Sequence, residues 1–517
     1  MKRTTVTLGW LALCLSTIDL GTSCAEDQPQ WGEPYSRNMI SGETGLPDRF
    51  DAGMRNSQTG EIDLPDGSGV KWVARLGGQS YGTPVISGGK VFVGTNNDVP
   101  RDERIQGDRG VLMCFDEKTG EYLWQLNVPK LEDSLVKWGD WRLIGLTSPP
   151  TVDGDRAYLV SNRCEVICLD VEGMADGNDG PYRDEGRHMA LAGQPPLEPG
   201  PKDADIIWLY DIIQETKAEP HNGSNCSILM DGDLLYVCTS NGVEWTHMRV
   251  LNPDSPSLIV LDKRTGKLVA RDDFNIGPDI THGQWSSPAM GRVGGKRLGF
   301  FGAGNGYMYA YEMLDPQIIG DGPVKLKNVW KFHGHPLAQT QDHVEPDHQH
   351  DSTSYEVTGM PVFYQDRLYV PFTQEPFHGM RLGSLVCLDA TKTGDITREG
   401  LVWSYDEIGS TCSTASIADG LVYITDFAGR LHCLDAETGE RYWVHDLGKP
   451  VWGSTLVADG KVYVGSGKQV FWVLRAGKRL EVISQMRMRD GVFSGPVAAN
   501  GVLYVMTKKH LYAVGEE

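Results

Sequence analysis

The chain has 517 residues and a formal net charge of −21, which excludes nucleic acid and anionic membrane surfaces as partners recognised through the overall field. Its 62 Gly and 28 Pro exclude a helical bundle and point to a turn-rich protein. The length exceeds an ordinary single core, so either several domains or one large repeat array is required.

Residues 1–25 read as a secretory signal. Lys2 and Arg3 supply the positive start, residues 8–15 the apolar core, and Ser23, Cys24 and Ala25 small residues at the cut. The apolar run is too short to span a bilayer, so the mature protein is expected to be extracytoplasmic, in the periplasm or secreted. A lipoprotein reading would lipidate Cys24 and tether the chain to a membrane, although Leu20 lies one position too far upstream for it. Residues 26–69, with Gln30-Trp31-Gly32, are expected to form an irregular arm that packs on the following domain and is anchored by Trp31.

Residues 70–517 carry one repeated unit. Its clearest copy, residues 415–443, reads ASIADGLVYITDFAGRLHCLDAETGERYW. Asp419-Gly420 is a two-residue hairpin signal, because a type I′ turn needs positive φ at both central positions. The unit reads as four short antiparallel strands, one before that turn and three after it, the last one ending on a Trp. The second strand recurs in eight copies, around Phe92, Tyr158, Tyr236, Gly299, Tyr369, Tyr423, Tyr463 and Tyr504. A repeat of about 40 residues with four strands is the signature of propeller blades. The eighth copy stops after its third strand, and an orphan strand at residues 70–76 precedes the first complete copy. The expected fold is therefore all-β, an eight-bladed propeller closed by that N-terminal strand, which removes exposed sheet edges. Such closure puts Trp72 beside the sheet that holds Tyr504.

Cys114, Cys168, Cys387 and Cys433 occupy one third-strand position in four blades. Residues repeated around a ring cannot pair with one another, so they read as small buried core residues. Cys164, Cys226, Cys238 and Cys412 leave pairing within a blade open.

Turn lengths assign two faces. The first-to-second and third-to-fourth connections are short, so their face is plain. The second-to-third connections and the links between blades carry the long insertions, and binding residues concentrate on such loops. Nine of the thirteen His fall there: His221, His247, His282, His333, His335, His343, His348, His350 and His378. His221, His282 and Trp285 lie just before innermost strands, so their side chains can point to the axis. There a Trp stacks on a planar ligand, and a His serves as a base or metal ligand.

The densest piece, residues 333–351, holds His333, His335, His343, His348 and His350 among four carboxylates. That chemistry suits zinc or another transition metal, although the spacing matches no sharp motif. The exception to the plain face is residues 171–204. Here Asp176, Asn178, Asp179, Asp184 and Glu185 offer hard oxygens in a calcium-loop spacing, with Gly180 where a ligand is expected. A plain acidic surface turn accounts for the same residues.

Residues 114–124 and 433–443 fit the Ala-x-Asp-x-x-Thr-Gly-x-x-x-Trp docking motif of quinoprotein propellers, with Cys at the Ala position. The chain resembles the PQQ-like (pyrroloquinoline quinone-like) β-propeller repeat proteins of planctomycete type. This superfamily also contains the non-catalytic outer-membrane assembly lipoprotein BamB. The resemblance implies that Trp124 and Trp443 pack between adjacent blades, with Trp208, Trp330 and Trp403 as looser equivalents. It implies two alternative functions. One is a BamB-like binding or scaffold propeller, taking a protein, small-molecule or saccharide ligand on the long-loop face. The other is a dehydrogenase that oxidises an alcohol or sugar with PQQ and calcium in the central funnel. PQQ alcohol dehydrogenases typically carry vicinal cysteines, and this chain has neither adjacent cysteines nor a CxxCH haem motif, which favours the first. A metal-dependent enzyme built on the His loops is a third possibility.

Overall fold

The computed structural model describes residues 26–131, 139–315, 322–336, 355–374 and 382–515. The expected signal, with Cys24, and His343, His348, His350 and His378 lie outside them. Among the described residues, no helix is long and apolar enough to cross a membrane.

Eight antiparallel blades form the molecule. Blade 1 is Val85–Ser87, Lys90–Asn96, Arg109–Asp116 and Tyr122–Pro129, each strand pairing with the next. Blades 2 to 7 repeat that order along the chain. Blade 8 takes three strands from the C-terminus, Val497–Ala499, Val502–Met506 and His510–Val514, and its fourth, Val70–Arg75, from the N-terminus. Trp72 lies opposite Ala513, and its ring centroid is 6.1 Å from that of Tyr504. The ring is closed as the terminal strands predicted.

The turns behave as their chemistry requires. Asp419 and Gly420 have φ of 50° and 74°, the paired left-handed conformation of a type I′ hairpin. Each blade also has a register shift in its third-to-fourth strand ladder, for example between Cys433 and Leu434. Such a shift increases local twist, which lets the sheets pack face to face around an axis.

Three third-to-fourth connections reach back to the preceding blade. Val324–Lys325 pairs in parallel with Leu268–Arg271 of blade 3, and Gly394–Asp395 with Asn328–His333 of blade 4. The insertion between the last two strands of blade 2 does likewise: Gln125 of blade 1 donates to Lys202 O at 3.0 Å and accepts from Ala204 N at 2.9 Å.

All eight described cysteines are free. Cys114, Cys168, Cys387 and Cys433 are buried in the blades. Cys226 and Cys238 approach without bonding, Cys238 N donating to the Cys226 sulfur at 3.3 Å.

The N-terminal arm does more than pack on the ring. From Gln28 to Glu43 it crosses the first strands of all eight blades. Ile86 N donates to Gln28 O and Val152 N to Pro29 O, in blades 1 and 2. The buried Arg37 guanidinium donates to Ser227 O and Pro288 O, beside the first strands of blades 3 and 4. Met290 N and Phe363 N donate to Tyr35 O and Ser36 O, and Asn38 pairs with Ile417 of blade 6. Val457 N donates to Met39 O, and Glu43 accepts from Asn500 N and Gly501 N. The arm thus supplies the backbone partners that inner strands otherwise lack. Its contacts lie near the two-residue turns, so it closes the channel on the plain face.

Candidate functional site

Toward the long-loop face, the described residues outline a funnel of about 460 Å³. That volume suits a small-molecule site. Every blade contributes to its wall through the residues that lead into its first strand: Tyr81, Thr147, Asn225, His282, Thr358, Cys412, Trp452 and Phe493 in blade order. Trp31 of the arm lines it as well. The arm anchor predicted from Gln30-Trp31-Gly32 therefore also faces the lumen.

The two sides of the funnel differ. On the side of blades 6, 7, 8 and 1, Trp452 is the hub of an aromatic cluster. Its ring stacks on Tyr81 at 5.7 Å and 24°, and meets Phe427 and Phe493 edge-on at 5.7 Å each. Lys508 stands over the Phe493 ring at 4.6 Å. These rings are only partly buried, so they offer apolar surface to a ligand. The side of blades 3, 4 and 5 carries the polar lining residues Asn222, Asn225, His282, Glu356 and Thr358, with Trp285 among them. The Cys412 thiol is pushed up to about 12 by burial, so it stays protonated and is not a nucleophile at neutral pH.

His221, His282 and Trp285 come together. The Trp285 indole donates to His221 O at 3.2 Å, and its ring meets that of His282 edge-on at 5.0 Å. His282 and Trp285 line the funnel, and His221 sits behind them, fully buried. A third imidazole joins them. His247 is 4.6 Å from His221 and 5.1 Å from His282, ring to ring, and His221 and His282 are 4.5 Å apart. The sequence places His247 on the right face but gives no sign of this convergence, which depends on how its loop folds back.

His333 and His335 lie near each other, with ring centroids 6.2 Å apart. Burial, aided by the charge of His335, pushes the His333 imidazole down to about 4 and keeps it neutral at physiological pH. The acidic insertion does not gather its oxygens. Arg183 donates to Asn178 and Asp179 O, Asn178 Nδ2 donates to Glu185 at 3.2 Å, and Asp179 N is fixed by Asp205 at 2.7 Å. Asp176, Asn178, Asp179, Asp184 and Glu185 form no convergent set among the described residues. Its short helix Glu185–Met189 is anchored by buried His188, whose Nε2 is 3.1 Å from the Glu165 carboxylate.

The docking tryptophans are spaced around the ring. Trp124 donates to Val171 O at 3.0 Å and Trp443 to Gly477 O at 3.0 Å, each in the next blade. Trp208, Trp330, Trp403 and Trp72 do the same to Lys263, Ala390, Ala436 and Glu117.

Residues 381–515 match the family model described as outer membrane protein assembly factor BamB. The chain is a β-propeller whose residues 381–515 are a BamB-like, PQQ-like repeat region. The propeller is 36% identical over 104 residues to a 1-butanol dehydrogenase (cytochrome c) of Thauera butanivorans, covering 17% of this chain. The match spans only 15% of that dehydrogenase. Among solved structures, a quinohemoprotein alcohol dehydrogenase from Comamonas testosteroni superposes with TM-score 0.60 and 12% identity, over 96% of this chain and 82% of that one. BamB from Moraxella catarrhalis gives 0.52 and 13%, over 87% and 97%. A europium-containing methanol dehydrogenase gives 0.56 and 11%, over 95% and 89%. At these identities the solved structures establish the propeller's fold and nothing further.

Proposed function

We propose that this chain is an extracytoplasmic, non-catalytic binding propeller whose funnel holds a small neutral ligand with one apolar face and hydroxyl-rich edges, such as a saccharide ring. The observation that carries this reading is the division of the closed funnel into an aromatic side around Trp452 and a polar side around Asn222, Asn225 and Glu356. A sugar's C–H face packs on Trp452 and Phe493 while its hydroxyls reach amide and carboxylate partners. Trp141, Trp245 and Met248, 44%, 51% and 55% exposed on the long-loop face, enlarge the apolar landing surface around the mouth.

The dehydrogenase relative supports a second reading, in which the funnel holds PQQ and calcium. Glu356, Asn222 and Asn225 supply oxygens suited to calcium. The quinone is a tricarboxylate, however. Arg142, the one arginine or lysine among the described lining residues, is exposed, and Glu356 adds a carboxylate to the same lumen. Cys412 has no adjacent cysteine. The lining does not fit that cofactor, and the first reading stands ahead of it.

Intrinsic tryptophan fluorescence of the purified protein, titrated with neutral oligosaccharides, tests the binding reading. Saturable quenching is expected, weakened about tenfold or more in Trp452→Ala. Failure of every sugar to bind, combined with dye-linked alcohol oxidation after addition of PQQ and calcium, would reverse the ranking.

A further inference from the structure

We infer that His221, His247 and His282 form a binding site for a divalent first-row transition metal, with zinc as the reference ion, at the wall of the funnel. The inference is independent of which ligand the funnel takes.

Three separate loops converge to build the cluster. His221 precedes the first strand of blade 3, His282 precedes that of blade 4, and His247 lies in the connection between the second and third strands of blade 3. One ligand-capable nitrogen from each lies within 4.8 Å of those of the other two. Among the described residues this is the one group of three or more His, Cys, Asp or Glu that converges so closely. A tetrahedral zinc with Zn–N bonds of about 2.0–2.1 Å separates its nitrogens by roughly 3.4 Å. Binding therefore requires the rings to close by about an ångström, a motion that side-chain rotation supplies.

The surroundings hold the rings as metal ligands are held. His221 Nδ1 lies 2.8 Å from Val243 O. A carbonyl only accepts, so Nδ1 carries the proton and Nε2 keeps the lone pair that a metal takes. Val243 N in turn donates to His282 O at 2.9 Å, which ties the His247 loop to the segment bearing His282. The turn at His247 is shaped by Glu244, whose main-chain oxygen accepts from His247 N and whose carboxylate accepts from Thr246 N, both at 2.8 Å. His247 itself has φ of 60°, a conformation held by its surroundings rather than by intrinsic preference.

The donor set selects the ion. Three neutral imidazoles suit zinc, copper, nickel or cobalt, whereas calcium and magnesium take oxygen ligands. The described residues supply three ligands, and a fourth from protein, water or the funnel's occupant completes the tetrahedron. His282 lines the funnel, so the bound ion sits at the lumen wall, within reach of a hydroxyl or carboxylate of the occupant.

The test uses the full chain, stripped with a chelator and titrated with Zn²⁺ and, separately, Co²⁺. One ion per chain is expected, with intense visible absorption from tetrahedral cobalt and a raised melting temperature. His247→Asn is the diagnostic variant, because Asn tolerates positive φ and leaves the loop intact. Its affinity is expected to fall more than 100-fold, beyond the roughly 10–100-fold that an outer-shell change costs. His333→Ala is expected to leave binding unchanged. Should His247→Asn fail to fold, His282→Gln is measured by the same cobalt spectrum. Absence of stoichiometric Zn²⁺ or Co²⁺ binding overturns the site. So does binding that survives the cluster variant or is lost in His333→Ala.

Discussion

At the scale of single residues, Gly242 shows how the histidine cluster constrains its neighbours. A Cβ there would lie 2.7 Å from His221 Cβ and 2.9 Å from His282 O, a backbone atom. Gly242→Ala is therefore expected to destabilise the protein by about 1–3 kcal/mol, read by urea denaturation. An unchanged midpoint would mean that the two loops yield. Asp426 offers a second residue-level prediction. It is fully buried, and its carboxylate accepts from Arg430 Nε at 2.8 Å, His432 Nε2 at 3.1 Å and Gly409 N at 3.1 Å. Burial alone would raise its pKa, but these donors outweigh burial and hold it down at about 2. A depressed carboxylate pKa gives stability that is present above the unfolded value and is lost as pH falls through the folded one. Asp426→Asn is expected to cost about 3 kcal/mol at neutral pH. The deficit should shrink as pH falls from 3.8 toward about 2, and a pH-independent deficit would contradict the assignment. Little of this was legible in the sequence. His221 and His282 were legible from their place just before innermost strands, whereas His247 reaches them through loop hydrogen bonds such as Val243 to His282, which leave no local signal.

At the scale of elements, the strands were legible because two-residue turns and alternating burial are local signals. The docking motif was legible for the same reason, since its Trp follows the Thr-Gly turn at a fixed distance. The turn glycine of the next blade then makes room for the indole. A Cβ on Gly439, at φ of 74°, would sit 2.6 Å from the Trp403 ring. Trp403→Ala is expected to cost about 3–5 kcal/mol, and Trp403→Phe only about 1 kcal/mol beyond its lost area, from the bond to Ala436 O. Equal losses in a denaturant melt would show that the indole N–H rather than the ring dominates. Blades 3 and 7 have no such Trp, and Ala270 and Ser484 pair at the equivalent register. Other segments reach both positions. Val324 pairs alongside Ala270, and the Ser484 hydroxyl donates to Asp48 O of the arm. Phe50 of the arm then packs against Phe471 of blade 7 and Tyr512 of blade 8, at 5.9 and 6.5 Å.

At the scale of the whole molecule, the arm is a second closure of the ring, and its path was not legible. It has no periodicity of its own, because its partners are spaced by the radius of the ring rather than by a helix or strand repeat. Arg37 is its most committed residue. The guanidinium is completely buried with no carboxylate partner among the described residues, donating to Trp31 O at 3.0 Å as well as to the carbonyls of Ser227 and Pro288. Burial pushes it down to about 10, so it remains charged at neutral pH. Removing it strands three carbonyls in the interior and frees the link between the funnel floor and blades 3 and 4. The closing strand Val70–Arg75 has its own ladder to His510–Val514 and does not depend on that link. Arg37→Ala is therefore expected to raise hydrogen exchange across residues 28–43 by about 100-fold or more while Val70–Arg75 stays protected. Loss of protection in both segments together would show instead that the arm and the ring open as one cooperative unit, with the arm needed to keep the circle shut.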